Sequence, residues 1–383
     1  MEAAARAAAA QLARAERPVL LIGPEARCVT ETAVALADWL GAAILTTPDG
    51  LSLVDGARSC GVFSFGASQH AKRVIERADV VLALSSLGEF ACRLGEGLRD
   101  HVTIQVTERA REVGRNLTPN VALVAPMTRA VAALSAALKE VCSPRAASWC
   151  KHSARSLETR LFGKRQEYIH PSAAIRAIQA ALPERVRMCL DVTSGALHAY
   201  RELRPRAPHQ RVFSSIENSA CMGEALLASL GIRLASNLPT LALVGDWCHS
   251  IVPPEIHTAV ELGLDRYVVL VWANAGGAFI GAGVAQQGIV VPDRSYRWRT
   301  PPDFAAVARA YGAEGVVVRD AVSLERELRA GLCGAGPVVI EAKIDPDVPV
   351  PAGDRFLTLG ETRAEARDDV ASSRRLRLPG SET

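Results

Sequence analysis

Short apolar runs alternate with amphipathic stretches along most of the chain, and the first 140 residues show this alternation most regularly. Apolar runs bounded by Gly, Pro or polar residues are typical of buried strands in parallel sheets, while the stretches between them repeat with helical spacing. The pattern predicts strands at 19–22, 43–46, 80–84, 102–106 and 121–124, with helices such as 30–40 and 69–77 crossing between them. A doubly wound sheet follows from such crossovers.

A second series of the same kind begins at residue 169, after a charged stretch that lacks strand alternation. Its strands are predicted at 187–191, 241–244, 268–272, 315–318 and 338–344. We therefore divide the chain into a Rossmann-like domain at 1–140, a connection at 141–168, a second domain at 169–350 and a polar tail at 351–383, mobile or laid over the surface. The predicted fold class is α/β, with two doubly wound parallel-sheet domains.

Composition excludes several kinds of protein. Of the 383 residues, 49% are hydrophobic and 22% are charged, and the formal net charge is +3 with the two signs intermixed, so we expect neither nucleic acid nor a membrane surface as a partner. No apolar run is long enough to span a bilayer. The nine cysteines form no CxxC pair, which favours reduced thiols in the cytoplasm over disulfides or a zinc motif.

Polar residues with suitable chemistry follow two of the predicted strands. Asp246 ends the run before "GDWCHSI", and Asn274 ends the run in "VVLVWANAGGAF", with Gly276 and Gly277 behind it. Carboxylate, amide and backbone carbonyl oxygens suit Mg²⁺, and glycines allow a phosphate to approach backbone N–H groups. The sequence therefore predicts a magnesium and diphosphate site; the alternative is that both segments are ordinary turns.

The spacing between these residues resembles a known signature. "GDWCHSIVPPEIHTAVELGLDRYVVLVWAN" resembles the GDG…N motif of thiamin-diphosphate-dependent enzymes, and residues 15–47, 213–235 and 300–347 resemble other segments of the acetolactate synthase-like members in the same order. The resemblance covers nearly the whole chain. It implies that Asp246, Asn274 and the backbone carbonyl of Gly276 bind Mg²⁺, which bridges to the diphosphate of thiamin diphosphate.

Further cofactor contacts are implied by the same resemblance. Met222 matches the large apolar residue beneath the cofactor, although an ordinary core position is the alternative. Trp247 replaces the third glycine of GDG and Ala273 replaces the first asparagine of the usual pair, so we expect either a reshaped loop after Asp246 or a low affinity for the cofactor. His249 is either a proton donor to a carbanion or an exposed loop residue. The implied cofactor-binding set is Thr193, Ser194, Gly195, Met222, Gly223, Gly245, Asp246, Trp247, Cys248, Asn274, Gly276 and Gly277.

The resemblance also implies a partner. Relatives carry a first domain whose glutamate activates the cofactor, and no residue of this chain matches it. We expect a separate subunit of about 180 residues to supply that domain, most simply in an α2β2 heterotetramer with active sites between unlike subunits.

The implied reaction is decarboxylation of a 2-oxo acid with acyloin-type carboligation, as in acetolactate synthase. The alternatives are a simple 2-oxo acid decarboxylase, a 2-hydroxyacyl-CoA lyase subunit, or a non-catalytic nucleotide-binding or oligomerisation subunit, which Trp247 and Ala273 favour. The first domain lacks GxGxxG, so we favour a structural role there over FAD or ADP binding. If a nucleotide binds, its contacts are expected at 46–50 and 85–90.

Overall fold

The structure is a computed structural model that describes residues 1–64, 66–86, 98, 101–115, 118–150, 167–216 and 220–351. It contains a five-stranded sheet followed by a six-stranded sheet, and all strand pairs in both are parallel. The predicted fold class is confirmed. Within the described residues, none of the helices has the length and apolar character needed to cross a bilayer.

The first domain places its sheet between two helical layers. Its elements are α1 (Glu2–Arg14), β1 (Pro18–Ile22), α2 (Thr30–Leu40), β2 (Ala43–Thr46), α3 (Gln69–Arg77), β3 (Val80–Leu84), β4 (Val102–Thr107), β5 (Val121–Val124) and α4 (Met127–Val141), with short 3₁₀ helices at Pro24–Val29 and Ala110–Glu112. The strand order is β2-β1-β3-β4-β5. Along β1, Leu20 and Ile22 pack with α1, α2 and α4, whereas Val19 and Leu21 pack with α3. Alternating side chains therefore fill a core on each face.

The second domain repeats this arrangement around a larger sheet. Its elements are α5 (Pro171–Ala181), β6 (Val186–Leu190), α6 (Ser194–Glu202), β7 (Gln210–Ser214), α7 (Glu224–Ser236), β8 (Thr240–Gly245), α8 (Asp246–Ile251), α9 (Glu255–Glu261), β9 (Tyr267–Ala273), α10 (Ala278–Gln286), α11 (Phe304–Ala310), β10 (Glu314–Val318), α12 (Ala321–Gly331) and β11 (Pro337–Lys343), with a 3₁₀ helix at Asp293–Ser295. The strand order is β10-β11-β9-β8-β6-β7. Leu241 and Leu243 of β8 pack with α5, α6 and α12, and Ala242 and Val244 pack with α7, α9 and α11.

The two domains contact each other through the segment 47–56, which follows β2. Ser52 Oγ accepts a hydrogen bond from the Val212 backbone N–H at 2.8 Å, and Asp49 Oδ1 accepts one from the Ser214 N–H at 2.8 Å. Both donors belong to the edge strand β7, whose outer side this segment therefore covers. Leu51 of the segment joins the apolar core of the second domain.

The described part of the predicted connection packs on the first domain. The Trp149 indole N–H donates to the Pro18 carbonyl at 2.8 Å, and the Arg145 backbone N–H donates to the Trp39 carbonyl at 2.9 Å. Residues 151–166 of this connection and the predicted tail beyond Pro351 lie outside the described residues.

All ten predicted strands are confirmed to within one residue at each end, and the predicted helices 30–40 and 69–77 coincide with α2 and α3. β7 was not predicted. Only Val212 and Phe213 of this strand are strongly apolar, and its outer side contacts the segment 47–56 and not another strand.

Candidate active site

The predicted site residues lie at the carboxyl edge of the second sheet, where β6, β8 and β9 are neighbours. Asp191 follows β6, Asp246 follows β8 and Asn274 follows β9. The chain moves outward to β7 on one side of β6 and to β8 on the other, so the edge between β6 and β8 is a topological switch point, where doubly wound folds bind ligands.

Asp246 is the first residue of α8, and it is only 2% exposed. Its Oδ1 accepts a hydrogen bond from the Trp247 backbone N–H at 2.8 Å, and its Oδ2 accepts one from the Gly276 N–H at 2.7 Å. Burial raises the pKa of this carboxyl to about 7, although these two hydrogen bonds and the nearby Trp298 indole oppose the increase. A cation bound here would offset the burial of the carboxylate charge.

The turn after β9, which carries Asn274, brings Gly276 against Asp246. Ala275 and Gly276 have left-handed φ values of 66° and 128°, and a Cβ on Gly276 would lie 2.6 Å from the Tyr296 carbonyl oxygen. Position 276 therefore needs glycine. The Asn274 Nδ2 donates to Ser194 Oγ at 3.0 Å, which leaves Oδ1 as the other polar atom of the amide.

The third predicted magnesium ligand is the Gly276 carbonyl. This oxygen accepts a hydrogen bond from the Ala278 N–H at 2.9 Å, and a carbonyl oxygen retains a second lone pair. The donor set is thus a carboxylate, an amide oxygen and a carbonyl, all oxygen ligands of the kind that Mg²⁺ prefers. The Gly276 N–H bond to Asp246 holds this turn against α8. The chemistry of these groups therefore fits the ion, and the ligation itself stays a prediction.

Residues 246–251 form the helix α8 and not the loop that was expected after Asp246. The Trp247 ring lies over Gly277, where a Cβ would stand 2.8 Å from its Cζ3, and it meets Trp298 edge-on with ring centroids 6.1 Å apart. Glycine at position 277 is explained by this close packing. The Trp247 indole N–H is buried and has no hydrogen-bond partner among the described residues, so it is a donor suited to an oxygen of an anionic ligand.

The amino end of α6 faces the same edge. Thr193 is its N-cap and accepts a hydrogen bond from the Gly195 N–H at 3.4 Å, and Ser194 contacts Asn274 as described above. A Cβ on Gly195 would lie 2.9 Å from Trp272, and a Cβ on Gly245 would lie 3.1 Å from Thr193 Oγ1, so both glycines permit close contact between α6 and the central strands. The positive end of this helix favours an anion.

Asp191 is a site residue that sequence reasoning missed. Both of its carboxylate oxygens accept the Gly223 N–H, at 3.1 and 3.0 Å, and Oδ1 also accepts the Val192 N–H at 2.7 Å. Burial raises the pKa of Asp191 to about 6, although these hydrogen bonds oppose the increase. The carboxylate fixes Gly223, which has φ +86° and precedes α7. The signal was available in "LDVTSG", an acid directly after an apolar strand.

Met222 and Cys248 differ in exposure. Met222, next to Gly223, is 38% exposed, so the alternative that it is an ordinary core residue is wrong. Cys248 is buried and its thiol donates to the Val192 carbonyl at 3.2 Å, and burial raises the pKa of that thiol. Met222 is therefore available to a ligand, whereas Cys248 serves packing between α8 and the β6 end.

The alternative that His249 is an exposed loop residue is wrong. Its side chain is 1% exposed on α8, and its ring packs edge-on against Phe304 with centroids 5.2 Å apart. Burial lowers the pKa of His249 to about 4. The imidazole is therefore neutral near pH 7, a state that does not readily donate a proton, although a catalytic role for it stays a prediction.

Comparison with known proteins finds two family models that match the chain. The model described as "Thiamine pyrophosphate enzyme, central domain" matches residues 5–134, and the model described as "Thiamine pyrophosphate enzyme, C-terminal TPP binding domain" matches residues 191–342. The second match includes every predicted cofactor and metal residue.

Curated relatives agree with these models. A probable 2-ketoarginine decarboxylase of Pseudomonas aeruginosa is 28% identical over 347 residues, which are 89% of this chain and 60% of that protein. An acetolactate synthase large subunit of Parasynechococcus marenigrum is 24% identical over 90% of this chain and 57% of its own length. A putative acetolactate synthase large subunit of Mycobacterium tuberculosis is 30% identical over 49% of this chain and 33% of its own. The chain thus spans at most about three fifths of the length of these relatives.

Proposed function

Because the chain belongs to the thiamine pyrophosphate enzymes, in the group of acetolactate synthases and related decarboxylases, we propose that its second domain binds thiamin diphosphate through Mg²⁺. In this proposal the assembled enzyme removes CO₂ from a 2-oxo acid and joins the remaining acyl group to a second carbonyl compound. Similarity to several acetolactate synthases supports the carboligation step.

The observation that carries the proposal is the joining of two strand ends by one hydrogen bond. The Gly276 N–H donates to Asp246 Oδ2 at 2.7 Å, so the turn that carries Asn274 is held against the carboxylate. Asp246, Asn274 and the Gly276 carbonyl would hold the metal. The amino end of α6 and the Trp247 indole N–H would receive the diphosphate oxygens, because donors and a positive helix end favour an anion.

The residues of this chain would position the cofactor and exclude water, while the cofactor itself carries the difficult chemistry. When bound, thiamin diphosphate supplies the carbanion that adds to the carbonyl carbon of the 2-oxo acid. Met222, more than a third exposed beside Gly223, would support the cofactor from the side of α7. Asp191 would hold that support in place through its hydrogen bonds to Gly223.

We further propose that a partner subunit of about 180 residues supplies the domain that binds the pyrimidine end of the cofactor, most simply in an α2β2 assembly in the cytoplasm. The exposure of Met222 supports this arrangement, since a cofactor support needs a covering surface. Among the described cysteines none is in a disulfide, which suits a reducing compartment.

Substitution of Asp246 by asparagine tests the binding site. Asp246→Asn removes the charge and keeps one of the two oxygens that accept the Trp247 and Gly276 N–H groups. Mg²⁺-dependent binding of thiamin diphosphate should therefore weaken at least tenfold in calorimetric titration with the partner present. Asp320→Asn is the control, because Asp320 is the exposed N-cap of α12 and asparagine caps a helix equally well. Unchanged affinity in Asp246→Asn would overturn the assignment of the metal site.

Product analysis separates the candidate reactions. The chain, co-purified with a candidate partner, is incubated with pyruvate or 2-ketoarginine in the presence of Mg²⁺ and thiamin diphosphate, and the products are separated. Acetolactate from pyruvate supports carboligation, whereas an aldehyde alone supports the decarboxylase, the candidate favoured by the match over 89% of the chain to a 2-ketoarginine decarboxylase. Turnover by the chain without a partner would overturn the split arrangement. Cofactor binding without turnover of these acids or of a 2-hydroxyacyl-CoA would favour a non-catalytic subunit.

A further inference from the structure

Three metal-ligating side chains converge in the first domain, away from the second sheet's carboxyl edge. One ligand atom from each of Cys60, His70 and Cys150 lies within 4.8 Å of the other two. The two sulfur atoms are 4.0 Å apart, and Cys150 Sγ is 3.9 Å from His70 Nε2. None of these residues takes part in the diphosphate site, and Cys150 lies beyond the central-domain match.

These separations fit one tetrahedral zinc ion. With Zn–S bonds of about 2.3 Å and a Zn–N bond of about 2.0–2.1 Å, tetrahedral ligands stand about 3.8 Å apart for two sulfurs and about 3.5 Å apart for sulfur and nitrogen. The distances from Cys150 Sγ to Cys60 Sγ and to His70 Nε2 exceed these values by only a few tenths of an ångström. The third separation, between Cys60 and His70, is within 4.8 Å, so the ion would draw these two side chains somewhat closer together. A disulfide needs the sulfurs at about 2.05 Å, so its formation would require a much larger movement.

Each ligand is held by a backbone that is itself fixed. The Cys60 N–H donates to the Ile44 carbonyl at 2.7 Å, beside the edge strand β2. His70 lies in the first turn of α3, which the Ser68 side chain caps by accepting the Ala71 N–H at 3.1 Å. The three ligands thus come from a strand edge, a helix start and the interdomain connection.

Cys150 is positioned by its neighbour Trp149. The Trp149 indole N–H donates to the Pro18 carbonyl at 2.8 Å, and its backbone N–H donates to the Gly41 carbonyl at 3.2 Å. The Arg77 guanidinium lies over the same indole, 5.7 Å from its centroid. A site held in this way requires little reorganisation to accept an ion, which favours tight binding.

We propose that Cys60, His70 and Cys150 bind one Zn²⁺ that fastens the connection between the domains to the first sheet. Two thiolates and an imidazole select zinc over the hard cations Mg²⁺ and Ca²⁺. Binding releases one proton from each thiol, and a water molecule occupies the fourth position of the tetrahedron. Since Cys60 and Cys150 are 90 residues apart, the ion closes a long loop of the chain.

Metal analysis of the full chain tests the proposal. Protein purified under a thiol-free reductant and loaded with Zn²⁺ should retain one zinc per chain after dialysis, and Zn²⁺ should raise its melting temperature. Replacing zinc by Co²⁺ should produce a thiolate-to-cobalt charge-transfer band and the visible d–d bands of a tetrahedral site, a readout that needs no variant.

Variants locate the ligands. Cys150→Ser and His70→Asn should each lower zinc affinity at least tenfold and weaken the charge-transfer band or shift the d–d bands. Cys142→Ser is the matched control, because Cys142 lies in the same connection and its thiol donates to the Leu138 carbonyl at 3.4 Å. Failure of the wild type to bind zinc, or equal affinity in the ligand variants and the control, would overturn the proposal. A Cys60–Cys150 disulfide that persists in reductant would overturn it in favour of a redox pair.

Discussion

The Glu25 carboxylate lies at the carboxyl edge of the first sheet, where a nucleotide would bind if this domain had that function. Glu25 accepts hydrogen bonds from the Ser86 N–H at 2.9 Å, the Ser86 hydroxyl at 2.6 Å, the Thr107 hydroxyl at 2.9 Å and the Glu108 N–H at 3.3 Å. Burial raises the pKa of Glu25, but these hydrogen bonds outweigh it and the pKa is lowered. An anion that occupies these donors disfavours phosphate, which supports the structural role predicted for this domain. Residues 87–90 of the other predicted contact segment lie outside the described residues.

Replacement of this carboxylate should destabilise the protein in a pH-dependent way. The lowered pKa of Glu25 means that its stabilising effect is present above its ordinary value of 4.5 and is lost as the pH falls. Glu25→Gln should therefore lower the free energy of unfolding by about 1–3 kcal/mol at pH 7, and the difference from wild type should shrink toward pH 4. Urea unfolding at both pH values measures this. Glu31→Gln, on the exposed first turn of α2, is the control; a difference independent of pH would contradict the prediction.

The site residues differ in how far the sequence could identify them. Asp246 and Asn274 could be predicted because each directly follows a continuous apolar strand, and parallel strands end at one edge. Asp191 follows a strand as well, but its role depends on Gly223, which is 32 residues away, and no local pattern predicts that contact. The burial of His249 against Phe304 likewise depends on the position of α11, which the strand pattern does not specify.

At the scale of elements, the site depends on how α8 packs against the turn after β9. Trp247 fills the space that a side chain at position 277 would need, and Trp298 packs edge-on against the same indole. Trp247, which stands where the family motif has glycine, is therefore accommodated because Gly277 on the neighbouring turn has no side chain. The large side chain at position 247 and the absence of one at position 277 are complementary.

This pairing predicts strong coupling between two substitutions. Gly277→Ala should cost about 1–3 kcal/mol of unfolding free energy through overpacking against the indole. In a Trp247→Ala background the same change should cost at least about 1 kcal/mol less, since the obstructing ring is gone. Urea unfolding of the four proteins measures the coupling. Gly231→Ala is the control, because a Cβ there meets no atom within 4 Å; additive effects of the two substitutions would contradict the argument.

Strands with continuous apolar character were predicted well, whereas the short helix α8 was not predicted. The central strands β8 and β9 are buried at every position, so their runs are unambiguous. The helix α8 has only six residues, "DWCHSI", which include weak helix formers, and no side chain caps it. Its helical form depends on tertiary contacts of Trp247 and His249, and such contacts are not encoded in local periodicity.

At the scale of the whole molecule, the contact between the domains includes a buried acid. Asp49 accepts the Ser214 N–H across this contact, and burial raises its pKa to about 6, with Glu224 adding to the increase and the Ser214 bond and Arg27 opposing it. The contact joins segments 165 residues apart, so the sequence could predict the two domains but not how they touch. Edge strand β7, which among the strands of the described residues is the one not predicted, lies at this contact.

Because the pKa of Asp49 is raised, its effect on stability should change with pH in the opposite direction to that of Glu25. The folded protein holds the Asp49 proton more tightly than the unfolded chain does, so the protein loses stability as the pH rises from about 4 to about 6. Asp49→Asn retains an acceptor for Ser214 but cannot ionise. Its stability relative to wild type should therefore improve by about 2 kcal/mol between pH 4 and pH 7. Thermal unfolding across this range tests it, with Asp55→Asn of the same segment as the control; a constant difference would contradict the prediction.

The central position of β8 and β9 in the second sheet determines how readily these strands unfold locally. Both strands have neighbours on each side in the six-stranded sheet, and each of their residues is buried. Backbone amides in such strands exchange with solvent only when large cooperative units of a protein unfold, whereas edge strands open more readily. Asp246 and Asn274 are therefore attached to the part of the domain that fluctuates least, and local breathing at β7 or β10 leaves their spacing intact.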